Sequence, residues 1–175
     1  MYNVKVIMMK IWQPAKTSIW TPQSDDSNYH WITQDIAIGM EPPNKATIKK
    51  IIEDGANNFL CLHRKEPGYD REGFNINFKQ IKVADNQLLS FNQAKKGIDF
   101  IEECIEKGEK VFVHCEMGVS RSAMFVVLYF ITHSKMNFTE AMVKIMEKRS
   151  CAHPSQALIN FDLIIDLINH YKGTE

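Results

Sequence analysis

The nine residues 114-HCEMGVSRS-122 bring a thiol (Cys115), a glycine (Gly118), an arginine (Arg121) and two hydroxyls (Ser120, Ser122) together between two apolar runs, KVFV and AMFVVLYFI. Glycine at 118 permits the positive φ of a tight turn. Successive backbone N–H groups that end at a helix N-terminus form a cradle for an anion. Arg121, six residues after Cys115, closes the cradle with a planar fork of donors suited to phosphate or carboxylate. Glu116, Met117, Gly118, Val119, Ser120 and Arg121 are therefore the expected substrate-binding residues. A thiol held among helix-end dipoles and a guanidinium is the reactive, thiolate kind. Cys115 is thus read as a nucleophile placed beneath a bound phosphoryl group, for in-line displacement through a thiophosphate. Ser122 is placed to donate a hydrogen bond to the departing sulfur. His114 either orients the loop through a backbone carbonyl or simply packs at a strand end.

An alkoxide or phenoxide leaves poorly, so the chemistry also needs an acid. Asp85, in IKVADNQLL, stands 30 residues before Cys115, between an expected strand and an expected helix. It is the candidate, with Asp70 in the EPGYDREG loop as the alternative. Asp54 and Asp99 fall inside expected helices and read as solvated charges.

The elements that position these residues follow from periodicity. Strands are expected at 4–12, 30–39, 57–63, 74–83 and 110–115. Helices are expected at 43–55 with a Pro entry and Gly stop, at 90–108 with one face built from Phe91, Ala94, Ile98, Ile101 and Ile105, and from Arg121 onward. Two more follow at 137–149, opened by an Asn137/Glu140 capping-box pattern, and at 154–171. Alternating strands and helices followed by clustered helices predict an α/β domain, a central and mostly parallel five-stranded sheet with helices on both faces. Residues 13–29 are the one long loop-like segment. They divide an N-terminal extension, 1–29, from a catalytic domain at 30–172, onto which Trp12, Trp20 and Trp31 can pack the extension.

Lys+Arg and Asp+Glu are equal at 21 each, so no global field recruits nucleic acid or anionic membrane. The longest apolar run, Ala123 to Ile131, is nine residues, against roughly 20 for a bilayer span. The start, MYNVKVIMMKIW, lacks a signal-peptide cleavage pattern. A cytoplasmic protein is expected, nuclear entry remaining open, with a monomer as the default. The four cysteines Cys61, Cys104, Cys115 and Cys151 show no CxxC pairing. The pairs Cys61/His63, His114/Cys115 and Cys151/His153 have the wrong spacing for a closed zinc site, so neither metal nor cofactor is expected.

His114-Cys115, five residues, then Arg121-Ser122 resembles the H-C-x5-R-S signature of cysteine-dependent protein tyrosine phosphatases, and HCEMGVSRSA resembles the small atypical dual-specificity branch most. ITQDIAIG resembles that family's early strand, KVADNQLLSFNQA its general-acid loop and following helix, and KRSCAHP its late helix–helix junction. The resemblance implies a protein tyrosine phosphatase-like fold and Asp85 as the acid. It also implies a reversible disulfide from Cys115 to a thiol of the Cys61 region, with Cys61 as a small buried hydrophobe the competing reading. Pro154-Ser155 departs from the family's Pro-Asn pair, and Asn86 follows the acid where a small residue is usual. No lysine lies between Cys115 and Arg121, so a single phosphate fits best. The expected substrates are phosphotyrosine and phosphoserine/threonine on proteins. Phosphoinositide or RNA 5'-end dephosphorylation is the enzymatic alternative, and a phosphate-binding module without turnover the non-enzymatic one.

Overall fold

The computed structural model describes residues 28–173. The strand expected at 4–12, the extension up to residue 27, and Trp12 and Trp20 lie outside the described residues. Within them, five strands form one sheet: β1 (Tyr29–Trp31), β2 (Ile36–Met40), β3 (Ala56–Cys61), β4 (Asn77–Gln80) and β5 (Lys110–Cys115). The order is β1-β2-β5-β3-β4. β1 runs antiparallel to β2, and every other pairing is parallel.

The segment 30–39, expected as one strand, is a hairpin. Thr33 Oγ1 accepts hydrogen bonds from the backbone N–H of Asp35 and Ile36 at 3.2 and 3.0 Å, and Ile32 N–H donates to Ile36 O at 2.8 Å. A short hydroxyl side chain that bonds its own backbone offers the chain a turn instead of continued extension. This hairpin supplies the fifth strand. β4 is shorter than the expected 74–83, because the chain turns away after Ile81 to bring Val83 over the site.

Among the described residues five helices flank the sheet: α1 (Lys45–Glu53), α2 (Phe91–Glu106), α3 (Arg121–His133), α4 (Phe138–Lys148) and α5 (Phe161–Lys172). Their starts are set by local caps. Asn44, rather than the preceding prolines, caps α1, while Ser90/Gln93 and Asn137/Glu140 form capping boxes on α2 and α4. The helix expected over 154–171 is broken. A 3-10 turn at Gln156–Leu158 is followed by Asn160, whose side chain accepts from Asp162 and Leu163 N–H at 3.1 and 3.3 Å and restarts the chain as α5.

α1 covers one face of the sheet, where Ile48 and Ile51 join Phe59, Phe112, Tyr29 and Tyr69. The other four helices cover the opposite face over Ile36, Ile38, Leu60, Val111 and Val113. α3 is buried from Arg121 to Ile131, which explains its apolar sequence on every side. Each large side chain it removes from water contributes roughly 1.5–3 kcal/mol. The catalytic-type loop is thus fixed at both ends, by the central strand β5 and by the most buried helix. No helix among the described residues is long and apolar enough to cross a membrane.

Candidate active site

β5 delivers Cys115 to the sheet's carboxyl edge, paired with Met40 of β2, while His114 pairs with Cys61 of β3. The chain then turns through Glu116–Ser120 into α3. Gly118 adopts φ 65°, and a Cβ there would lie 2.3 Å from the carbonyl carbon of Gly39. Glycine is required twice over, by the backbone conformation and by the loop lying directly on β2. Ser120 stands at the N-cap of α3 without capping it. Its Oγ instead accepts from Ser155 N–H at 3.0 Å, so no N-cap side chain competes for the first-turn N–H groups of α3, where an anion is favoured.

Cys115 and Ser122 are buried with Sγ and Oγ 3.5 Å apart. Arg121 is also buried, and its Nη1 donates to Val83 O at 3.2 Å and more weakly to Leu62 O at 3.5 Å. These carbonyls steer the other edge of the guanidinium. Nη2 lies 3.6 Å from Glu116 Oε2 and Nε 3.8 Å from Asp85 Oδ1, both beyond hydrogen-bond length. Nε is left buried without a hydrogen-bond partner. A buried guanidinium N–H without a hydrogen-bond partner needs an acceptor, which an oxyanion in the loop would supply. Asp85 is exposed on its turn, followed by Asn86 in a left-handed conformation at φ 54° that asparagine tolerates.

His114 is fully buried. Its Nε2 meets Tyr69 OH at 2.9 Å and its ring stacks on Phe112. Burial pushes its pKa down to about 3, so it stays neutral and packs in the floor under the loop. Glu41 ties down the neighbouring segment, accepting from Gly68 N–H and pairing with His63 Nδ1 at 2.7 Å, while His63 Nε2 lies 3.5 Å from Glu116.

Sequence reasoning missed Arg149. Buried where α4 ends, it donates from Nε to Gly118 O at 2.7 Å, from Nη2 to Met117 O at 3.4 Å, and lies 2.9 Å by Nη1 from His30 Nδ1. Burial pulls its pKa below the usual guanidinium value. His153 N–H adds a bond to Val119 O at 2.8 Å. The junction that departs from Pro-Asn thus holds the loop through main-chain donors and Arg149, and Ser155 contributes its N–H rather than its hydroxyl. The only sequence signal for Arg149 was its place in KRSCAHP.

Two further candidates, Cys61 and Asp70, sit in surroundings of their own. Cys61 shares a sheet face with His114, beside Phe59 and Phe112. Cys115 belongs to the cluster with Leu60, Leu62 and Val113, and both thiols are free. Burial raises the Cys61 pKa to about 11. Asp70 is bound to Lys45 at 2.8 Å and accepts from Glu72 N–H, with Lys45 holding its carboxyl below the usual range.

Residues 43–170 match the family described as dual specificity phosphatase, catalytic domain. The human serine/threonine/tyrosine-interacting protein is 26% identical over 122 residues, covering 66% of this chain and 54% of that protein. Human dual specificity protein phosphatase 22 is 41% identical over 81 residues, 46% of this chain and 44% of that one. The chain spans about half the length of the curated relatives it matches. Among solved structures, human tyrosine phosphatase-like serine/threonine/tyrosine-interacting protein superposes with TM-score 0.68 at 19% identity, covering 85% of this chain and 97% of that chain. PTPMT1 in complex with PI(5)P gives 0.70 at 18%, covering 84% and 98%.

Proposed function

Since the chain belongs to the dual specificity phosphatase catalytic-domain family, we propose that residues 30–172 hydrolyse phosphotyrosine and phosphoserine/threonine monoesters of proteins through a cysteinyl-phosphate. The phosphoryl oxygens take the loop N–H groups and the Nε/Nη2 edge of Arg121. The Cys115 thiolate attacks phosphorus, the bond to the leaving oxygen breaks, and Asp85 gives that oxygen its proton. Water then attacks the thiophosphate, its proton passes to Asp85, and the S–P bond breaks to release phosphate while Ser122 hydrogen-bonds the returning thiolate.

The observation that carries this reading is the buried, unpartnered Nε of Arg121 in the same loop as a buried Cys115 that touches Ser122. The absence of lysine and arginine from Glu116–Ser120 favours a substrate with one phosphate at the cradle. The test is hydrolysis of a chromogenic aryl phosphate with and without a chelator, for the parent and for Cys115→Ser. Turnover in the parent that survives the chelator and vanishes in the variant, with oxyanion binding retained, supports the mechanism. Appreciable turnover by Cys115→Ser removes the thiol from it. The names of the serine/threonine/tyrosine-interacting relatives favour a second reading, phosphate binding without turnover, which the same assay separates by its lack of product.

A further inference from the structure

Glu116 Oε2 stands between two donors and hydrogen-bonds neither, with Arg121 Nη2 at 3.6 Å and His63 Nε2 at 3.5 Å. Its main chain is pinned, since Glu116 O accepts from Glu41 N–H at 3.3 Å. Only the side chain, 61% exposed, is free to swing. His63 is held far more firmly. Its side chain is 15% exposed, its carbonyl accepts from Gln80 Nε2 at 3.1 Å, and its Nδ1 meets Glu41 Oε2 at 2.7 Å. Both oxygens of Glu41 accept, Oε1 from Gly68 N–H and Oε2 from the ring, so the hydrogen sits on Nδ1. The other titratable groups around the ring are Cys61, whose thiol receives the His63 backbone N–H, and His114; burial keeps both uncharged.

A neutral imidazole has one N–H. With that hydrogen committed to Glu41, Nε2 presents a lone pair to Glu116, which as a carboxylate can only accept. Arg121 is the cation that faces Glu116 before a phosphoryl group enters. A phosphoryl dianion on the Nε/Nη2 edge takes that cation and repels the carboxylate beside it. The other donor within reach of Glu116 is His63, and the ring can donate from Nε2 only as the imidazolium. It then bridges two carboxylates, Glu41 on one nitrogen and Glu116 on the other. We propose that His63 is a positioning residue of the cradle: as an oxyanion takes the Nε/Nη2 edge of Arg121, Glu116 turns from the guanidinium to His63, whose Nε2 takes up one proton from solvent to receive it. The inference rests on the hydrolase reading for the identity of the anion, and it makes phosphate binding a proton-coupled step that lower pH favours.

The test measures sulfate binding to the Cys115→Ser protein by NMR, so it needs no turnover and leaves no thiol at 115 to titrate. Sulfate stays a dianion from about pH 6 to 8, the range in which histidine ordinarily exchanges its proton. It should bind about tenfold tighter at pH 6 than at pH 8, and saturation at pH 7 should move the His63 ring nitrogens toward the doubly protonated signature. With Glu116→Gln added, and the thermal transition unchanged, the pH preference should drop below about twofold and the His63 ring should stop responding. His63→Gln should flatten the pH dependence as well. Added to Glu116→Gln it should change affinity by less than about twofold, since His63 acts through Glu116. A His63 ring whose protonation does not change on saturation overturns the proposal, and needs no variant of His63 that folds. A pH preference that survives Glu116→Gln also overturns it, by placing the proton on another group such as Asp85. Failure to bind sulfate at either pH overturns it together with the cradle. Aryl phosphate turnover by the unaltered protein reports separately on the hydrolase reading. Ring protonation without turnover sinks that reading and keeps the positioning role, and turnover without ring protonation does the reverse.

Discussion

Replacing Arg149 by methionine keeps the length of the side chain's stem and removes three polar contacts. Gly118 O loses its 2.7 Å donor and Met117 O a weak one at 3.4 Å. A buried carbonyl left without a partner costs about 1–3 kcal/mol, and the 3.4 Å contact adds little. Relief from burying a guanidinium offsets part of this. A net loss of up to about 3 kcal/mol lowers Tm by up to roughly 12 °C for a chain of this size. Turnover should fall further than stability does. A loop displaced by about 1 Å around the phosphoryl group can lose on the order of 100-fold. The assay is kcat/KM on an aryl phosphate, together with affinity for a phosphate-mimicking oxyanion, measured well below the melting transition. Arg149→Lys, which can still reach Gly118 O with one donor, should recover part of the affinity. If Arg149→Met loses stability while oxyanion affinity and turnover match the parent, Arg149 holds α4 and not the loop.

Asp85→Asn should slow alkyl and phenyl phosphates severely and activated aryl phosphates much less, since a good leaving group needs little protonation; equal loss on both would give Asp85 a structural role. For His114, the folded pKa of about 3 lies below the ordinary 6.5, so the unfolded chain takes the proton first as pH falls. Its contribution to stability is complete above about pH 6.5 and declines toward pH 3 by about 1.4 kcal/mol per unit. Urea unfolding of His114→Gln between pH 6.5 and 4 should be less pH-dependent by that slope, and an identical slope would refute the burial argument. Gly118→Ala demands a left-handed alanine at about 1–2 kcal/mol and places Cβ 2.4 Å from Gly39 O. Oxyanion affinity should fall at least about tenfold, and parent-like affinity would show that the loop does not rest on β2.

The features that were legible in the sequence are those whose causes are local. Asn137 with Glu140 caps its own helix within four residues. The strand–loop–helix unit from Lys110 to Ile131 is contiguous, so Cys115, Arg121 and Ser122 could be placed from spacing alone. The errors came from short polar side chains that compete with regular structure. Thr33 turned an apparent long strand into a hairpin, and Asn160 split an apparent long helix. Arg149 depends on contacts far apart in the chain. Arg149 acts 31 residues from Gly118.

The buttress has a consequence for the order in which the protein matures. The loop's supports come from residues 149 to 155 and from His30, which lies 119 positions away from Arg149. These are non-local closures, and they form late because chain entropy opposes them until most of the fold is in place. At a synthesis rate of roughly 5–20 residues per second, Ser155 follows Ser120 by about 2–7 s. During that interval the loop of a nascent chain lacks its supports from residues 149 to 155. A chain cut before Arg149 would keep the whole HCEMGVSRS signature and lack the supports that shape it.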